Sequence, residues 1–524
     1  MNRLILPFCL ILFLTVPLFS QSTDGQPSPD SVLVINSFKF DIKGRTRPDA
    51  LIYKGELQEG EELKGQAGLE KFIKDKTQVL LNQRVLEKVE ITYTIGEQWS
   101  DGKYPVDLFI AVVDTWNIIA IPYPKYDSNS GFELTIKARD YNFLGTMNPL
   151  KFDLGYRYDQ NERNSVFFEI DSDTPFKAFG YNWSINFDHF FNYRPDVEEP
   201  YYYKNVTGLS MELPFKTTTF TFGLEESFIL NEENADRDKP FYGNFQNGLY
   251  MASRPYISWK IPTGLEVGEY GDLIYTPEIS ATFNHEVSRW PLNDIRKGPF
   301  MTLKHTIGFD RINWIGNYRQ GFDVSMDNSY NYDFFRLNQN KEALSVDLSI
   351  SGISHFIITD NFGISAFLRY RHWFYHDPGY YDQAGDALRG ILDRSLTADY
   401  MLSLNLDFPF RVLQFLPSQW FGKPKLRFFD FDLHVSPIID LALYHNPVTN
   451  TSFSFKNMLA SGGLEVIVFP AFMRSLYIRA SLAWNFVEQI NNPNDYYLNP
   501  ILPVVPHLPS GRDREIFIGI GHHY

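Results

Sequence analysis

Period-two alternation, repeated along most of the chain, is the pattern that most restricts the fold. In LKFDLGYRYD (150–159), Leu150, Phe152, Leu154, Tyr156 and Tyr158 share one face, while Lys151, Asp153, Gly155, Arg157 and Asp159 share the other. The pattern returns in YNWSINFDHFF (181–191), LSVDLSISG (344–352), FGISAFLRYRHWF (362–374), FDFDLHVSPIIDLALY (429–444) and SLYIRASLAWNF (475–486). Successive strand side chains point to opposite sides, so each stretch reads as a strand with one apolar and one polar face. The apolar faces persist for up to about 10 positions, the length of a tilted strand crossing a bilayer. The opposite faces carry charges, which a water-filled lumen accepts. Such a sheet must close, because every unpaired backbone group in hydrocarbon costs several kcal/mol. About 18 such segments fit between Asn117 and Tyr524, and a bacterial barrel takes an even number of strands. A large soluble β-sandwich, whose strands also alternate, is the competing architecture.

Composition points the same way. Aromatic residues make up 16%, with 46 Phe and 31 Tyr, and beyond the N-terminus no apolar run has the length of a membrane helix. Arg3 followed by the apolar run Leu4–Phe19 and a polar stretch reads as a signal peptide over 1–20, with a polar linker over 21–30. The one cysteine, Cys9, falls inside that peptide. A disulfide scaffold, a thiolate metal site and a cysteine nucleophile are therefore excluded. A net charge of −15 argues against nucleic-acid binding, which draws its affinity from basic patches.

Residues 31–116 differ from the rest. VLVINSFKFDIKG (32–44) alternates and ends at a glycine, and Thr46 with Asp49 has the spacing of a capping box ahead of a short helix through Leu51. QAGLEKFIKDKTQVLLNQRV (66–85) has a helical period, with Leu69, Phe72, Ile73 and Leu80 on one face. LEKVEITYTIG (86–96) and YPVDLFIAVVDTW (104–116) return to period two. The order β-α-α-β-β predicts two helices against a three-stranded sheet, followed by a barrel over 117–524. Polar interruptions at 193–203, 231–247, 376–396 and 489–513 read as the barrel's long extracellular loops.

One of these loops runs into ALRGILDRSLTADYMLSLNLDFPF (387–410), which sets an arginine and a glycine between apolar residues. In the next strand Leu402, Leu404, Leu406 and Phe408 face lipid, leaving Ser403, Asn405 and Asp407 to face the lumen. In the strand after it Phe431, Leu433, Val435, Ile439 and Leu441 face lipid, leaving Asp432, His434, Ser436 and Asp440 inside. An arginine on a loop folded inward therefore meets carboxylates, and its planar fork fixes orientation as well as charge.

These residues resemble a known family, the bacterial surface antigen superfamily of POTRA-plus-barrel proteins. Leu388-Arg389-Gly390-Ile391 is similar to the family's loop motif, with Ile391 where an aromatic is usual. LNLDFPF (404–410) and PIIDLALYHN (437–446) resemble the strands that follow, and the carboxylate that receives the loop arginine maps to Asp440. SGGLEVIVFPAFMRSLYIRASLAW (461–484) resembles the penultimate hairpin, ARDYNFLGTMNPLKFDLGY (138–156) an early barrel turn, and 32–115 a single POTRA domain. Asn405 stands where the family often has a glutamate, so the expected lumen partners of Arg389 are Asp440 and Asn405, one carboxylate rather than two. The resemblance implies a mainly β, 16-stranded transmembrane barrel in the bacterial outer membrane, with its POTRA-like domain in the periplasm. It further implies a protein that contacts outer-membrane lipid and client polypeptides, with periplasmic or lipoprotein partners, and that helps clients insert or cross.

In the last strand, EIFIGIGHHY (515–524), Gly519 and Gly521 face inward and Tyr524 is the terminal aromatic. The glycines either weaken a seam between the first and last strands or relieve crowding inside the barrel. Three other readings compete. A porin or receptor barrel has the same strands, and a tethering barrel would bind a folded envelope partner. A barrel enzyme could use His372 and His376, but no serine or acid motif accompanies them, so no catalytic residue, metal or cofactor is expected. Three Asn-x-Ser/Thr triplets, at Asn182, Asn205 and Asn450, read as coincidence in a bacterial barrel.

Overall fold

The computed structural model describes residues 31–127, 131–158, 164–195, 200–231, 248–267, 271–287, 292, 296–339, 342–374, 382–392, 396–446, 450–473, 476–486 and 514–520. The signal peptide, the linker, His376, Gly521, Tyr524 and most of the long loops expected from the sequence lie outside the described residues.

The chain begins with a small α/β unit: β1 (Val32–Lys43), α1 (Pro48–Lys54), β2 (Glu62–Lys64), α2 (Gly65–Asn82), β3 (Leu86–Ile95) and β4 (Tyr104–Asp114). The sheet order is β2-β1-β4-β3, with β1 and β4 parallel. β2 is a fourth strand that the three-stranded expectation missed, because three residues are too few to show a period. Leu69, Phe72 and Leu80 of α2 bury against Leu33, Ile35, Leu108 and Ile110 of the sheet, as the helical stripe requires. The expected capping box does not form. Arg47 is the N-cap residue of α1, Thr46 Oγ1 donates instead to Asp114 Oδ1 at 2.7 Å, and Asp49 pairs with Arg47.

From Ile118 to Ile520 the chain forms one closed antiparallel barrel of 18 strands among the described residues. Tyr400–Asp407 and Phe410–Phe415 count as one strand, interrupted near Phe408-Pro409 and paired on both sides with the same neighbours. This corrects the 16 strands implied by the resemblance and agrees with the higher number of alternating segments. The outer wall is apolar, with Leu134, Ile136, Leu154, Tyr156, Leu224, Ile257, Leu368, Ile439, Leu464 and Ile518 all exposed. Thr135, Asp153, Ser403, Asp440, Ser461 and Glu465 point inward and are buried. An apolar wall around a polar interior places a barrel in a bilayer rather than in water.

The two rims differ. On one, strands join through tight turns such as Phe179-Gly180, Lys216-Thr217 and Gly316-Asn317, and the small unit docks there. Asn142 Nδ2 donates to Thr46 and Asp114, Arg45 pairs with Asp140 at 2.8 Å, and Arg47 N–H donates to the Gly145 carbonyl at 3.0 Å. Farther round the rim, Asn82 bonds Asn313 and Trp314, Asp75 pairs with Arg311, and Glu87 pairs with Arg427. The other rim carries the long connections, among them the one that contains Arg389.

Candidate functional site

The loop between Phe362–Phe374 and Tyr400–Asp407 folds into the lumen. A short ribbon, Asp382–Gln383 with Thr397–Ala398, closes its base, and a 3-10 turn, Gly385–Ala387, leads into the motif. Leu388 and Ile391 bury in an apolar cluster with Ala384, Ala387, Leu396, Ala398, Met401, Ala442 and Leu459. Met401, Ala442 and Leu459 are inward-facing, buried apolar strand residues. They form the landing site that makes apolar residues suitable on this loop.

Arg389 is 3% exposed, and its guanidinium meets two carboxylates. Nε donates to Asp440 Oδ2 at 3.0 Å and Nη2 to Asp440 Oδ1 at 2.6 Å, so the fork grips one carboxylate with both prongs. Nη1 donates to Asp407 Oδ1 at 2.6 Å. The Arg389 backbone N–H also donates to Asp440 Oδ2, at 2.7 Å. Asp440 is fully buried, and its charge is neutralised only by this loop among the contacts described. Strand pairing fixes the geometry, because Asn405 stands opposite Asp440 in the register and Asp407 lies one inward position along.

Asn405 requires a correction. It is not a partner of the guanidinium; its Nδ2 donates to the Ala387 carbonyl at 2.9 Å and so holds the loop backbone. The second carboxylate is Asp407, whose inward phase was legible in the sequence but whose reach to Arg389 was not.

Gly390 adds a contact that sequence reasoning missed. Its N–H donates to Glu515 Oε2 of the last strand at 2.8 Å. Its φ is +87°, and an added Cβ would stand 2.7 Å from the Trp484 nitrogen. Glycine is therefore needed here for conformation and for close approach to the Ile478–Asn485 strand. The loop thus spans the lumen, from the two carboxylate-bearing strands to the strands that end the barrel. Beneath it Glu465 and Arg479 form a second buried pair at 3.2 Å, with the Arg479 guanidinium 4.4 Å from the Phe517 ring.

Among the described residues the closure is slight. The last strand pairs with the first only at Phe517↔Asp127 and Ile518↔Tyr126 among the described residues, whereas its ladder with the preceding strand runs from Ile478↔Ile520 to Trp484↔Arg514. Gly519 faces inward beside this seam, and a Cβ there would collide with the Tyr123 hydroxyl and the Phe517 ring. Room for Tyr123 is thus one reason for glycine at that position. His372, the first of the two histidines considered for catalysis, packs against Phe374 and Tyr400.

Together these features define a class: a membrane barrel with an apolar wall, a narrow closing seam, an inward-folded loop and a small α/β unit docked on one rim. No protein-family model matches the chain, and no curated protein matches its sequence. Among solved structures the chain is similar to BamA from Haemophilus ducreyi lacking POTRA domains 1–3, at a TM-score of 0.40 and 12% identity, covering 93% of this chain and 84% of that one. It is similar to CdiB from Acinetobacter baumannii, at 0.44 and 11%, covering 93% and 74%, and to CdiB from Escherichia coli, at 0.40 and 10%, covering 96% and 92%.

Proposed function

We propose that this chain is a bacterial outer-membrane barrel of the POTRA-plus-barrel type that helps client polypeptides insert into or cross the membrane. In this reading it uses no cofactor and makes or breaks no covalent bond. The small unit is periplasmic and receives extended client segments at its sheet edges. β1 pairs with β2 only over Val32–Val34, and β3 is the other edge of the sheet. Strand addition at such edges relies on backbone hydrogen bonds and tolerates many client sequences.

The observation that carries the reading is the coupling of a weak seam to the lumenal loop. A seam registered at two positions among the described residues opens at small cost, and Glu515, on the strand that must move, is held by the Gly390 N–H of the same loop that Asp407 and Asp440 anchor. Leu388, Arg389, Gly390 and Ile391 set the interior shape from which the final strand swings, and Gly519 belongs to the strand that exposes its edge to clients, with Gly521 and Tyr524 following it in the sequence.

The test reconstitutes the purified full chain in vesicles and follows the folding of a urea-unfolded barrel protein. Faster folding than in empty vesicles is the expected result. Folding at the empty-vesicle rate, together with open-channel conductance, would instead make the chain a porin-like barrel. A photoreactive residue at Ile518 should capture unfolded barrel precursors; capture of one folded envelope protein would favour a tether.

A further inference from the structure

One connection on the rim that holds the small unit departs from the tight turns beside it. Residues 416–430 form a short helix, Pro417–Trp420, and a 3-10 turn, Pro424–Phe429, between two barrel strands. Four large rings stand in the open there: Trp420 at 58%, Phe421 at 68%, Phe428 at 62% and Phe429 at 58% exposure. A cluster of this kind facing water would be costly, and exposed apolar patches mark contact surfaces.

The patch continues the lipid-facing wall. Phe415 and Phe431 lie on the outward side of their strands, opposite the inward Asp432. The Phe415 ring lies 5.0 Å from Trp420 and 5.3 Å from Phe431. Phe428 stacks on Phe472 of the next connection at 4.6 Å. Three exposed cations are interleaved with the rings: Lys423, Lys425 and Arg427. Arg427 pairs with Glu87 at 2.9 Å, whereas the Lys423 and Lys425 ammonium groups meet no carboxylate among the described residues. This basic segment stands out in a chain of net charge −15. Aromatic rings with flanking lysines are the composition of a bilayer interface, where rings sit at headgroup depth and cations reach lipid phosphates.

We propose that residues 416–430 are an interfacial platform, lying in the headgroup layer of the leaflet on the small-unit side and binding anionic phospholipid headgroups through Lys423 and Lys425. The occupant is lipid because the rings are continuous with a surface that already faces lipid and the charges are opposite to those headgroups. The proposal needs the barrel to be in a bilayer but does not depend on client insertion.

The test uses the full chain with Cys9 replaced by serine and Phe421→Cys carrying an environment-sensitive fluorophore. It is reconstituted in vesicles of phosphatidylcholine, with or without phosphatidylglycerol. The emission should shift to the blue, lipids spin-labelled near the headgroup should quench it more than aqueous iodide does, and both effects should strengthen with phosphatidylglycerol. Lys423→Glu with Lys425→Glu should abolish the phosphatidylglycerol-dependent part while the barrel keeps its heat-modifiable mobility on gels. The control label at Phe455→Cys, on the opposite rim and 82% exposed, should remain open to iodide. Iodide access at Phe421→Cys equal to that control overturns the platform, and equal protection in neutral and anionic vesicles overturns the headgroup assignment. Protection that requires added soluble periplasmic protein would make the patch a protein-docking site instead.

Discussion

Arg389 holds three elements at once, and its removal should be felt well beyond its own contacts. Arg389→Ala leaves Asp440 charged and buried without its cation, a situation that costs about 3–5 kcal/mol. The loop should release from the lumen and become open to protease between 385 and 392, and, if the proposed function holds, client assembly should slow while the barrel stays embedded. Limited proteolysis with a gel-mobility check reads both effects, and unchanged assembly would remove the loop from the mechanism. Arg389→Lys keeps the charge but loses the two-pronged grip, so it should fall between wild type and alanine. Gly390→Ala should release the loop with every charge in place, because its φ and the Trp484 backbone both oppose a side chain. Asp440→Asn should be more damaging than Asp407→Asn, since Asp440 accepts three of the loop's bonds and Asp407 one. A protease-sensitivity series over these variants gives the ranking.

At the scale of elements, the proposed function puts the client route at the closing strand pair. Tyr126 and Ile518 are register partners across the seam, so Tyr126→Cys with Ile518→Cys places two thiols in a chain whose native cysteine is Cys9 alone. Oxidation should lock the barrel and abolish acceleration of client folding, and reduction should restore it. Full activity in the locked form would move the client route away from the seam. The strand before the motif loop and the two strands after it had their phases legible in the sequence, because an inward aspartate beside an outward leucine leaves one register that keeps both in suitable surroundings. What the period could not show was the interruption at Phe408-Pro409, which lets one strand serve two stretches of its neighbours, or the three-residue β2.

Across the whole molecule, the small unit and the barrel are joined by specific contacts rather than by a free linker. The turn containing Asp140, Asn142 and Gly145 supplies one dock. Its resemblance to a family turn was visible in the sequence, but its role in gripping Arg45, Thr46 and Arg47 was not. Tyr53 belongs to this interface, with its hydroxyl donating to Glu212 at 3.2 Å. Tyr53 keeps 41% of its surface exposed; desolvation of its covered part first, and then the Glu212 charge, push the phenol up to about 12. A raised phenol keeps its proton in the docked state, so its contribution is complete below an ordinary tyrosine pKa of about 10 and is lost as pH rises through the raised value. Tyrosinate absorbance of wild type minus Tyr53→Phe should show that late titration. A difference transition near an ordinary tyrosine value would place Tyr53 in water.

The closed barrel with its exposed apolar wall was decided by the tertiary structure, because a soluble sandwich alternates too; the sequence by itself determined that the chain is built of strands with one apolar and one polar face. It also determined which face of each strand holds Asp407, Asn405 and Asp440, because a period of two leaves no freedom once one face is apolar. Only the tertiary structure decided which of those inward groups Arg389 reaches. That choice depends on how the loop backbone enters the lumen and on Met401, Ala442 and Leu459, which receive Leu388 and Ile391. It also decided that Glu515, distant in sequence, meets the Gly390 N–H, because barrel closure brings the end of the chain back beside the start and within reach of the loop.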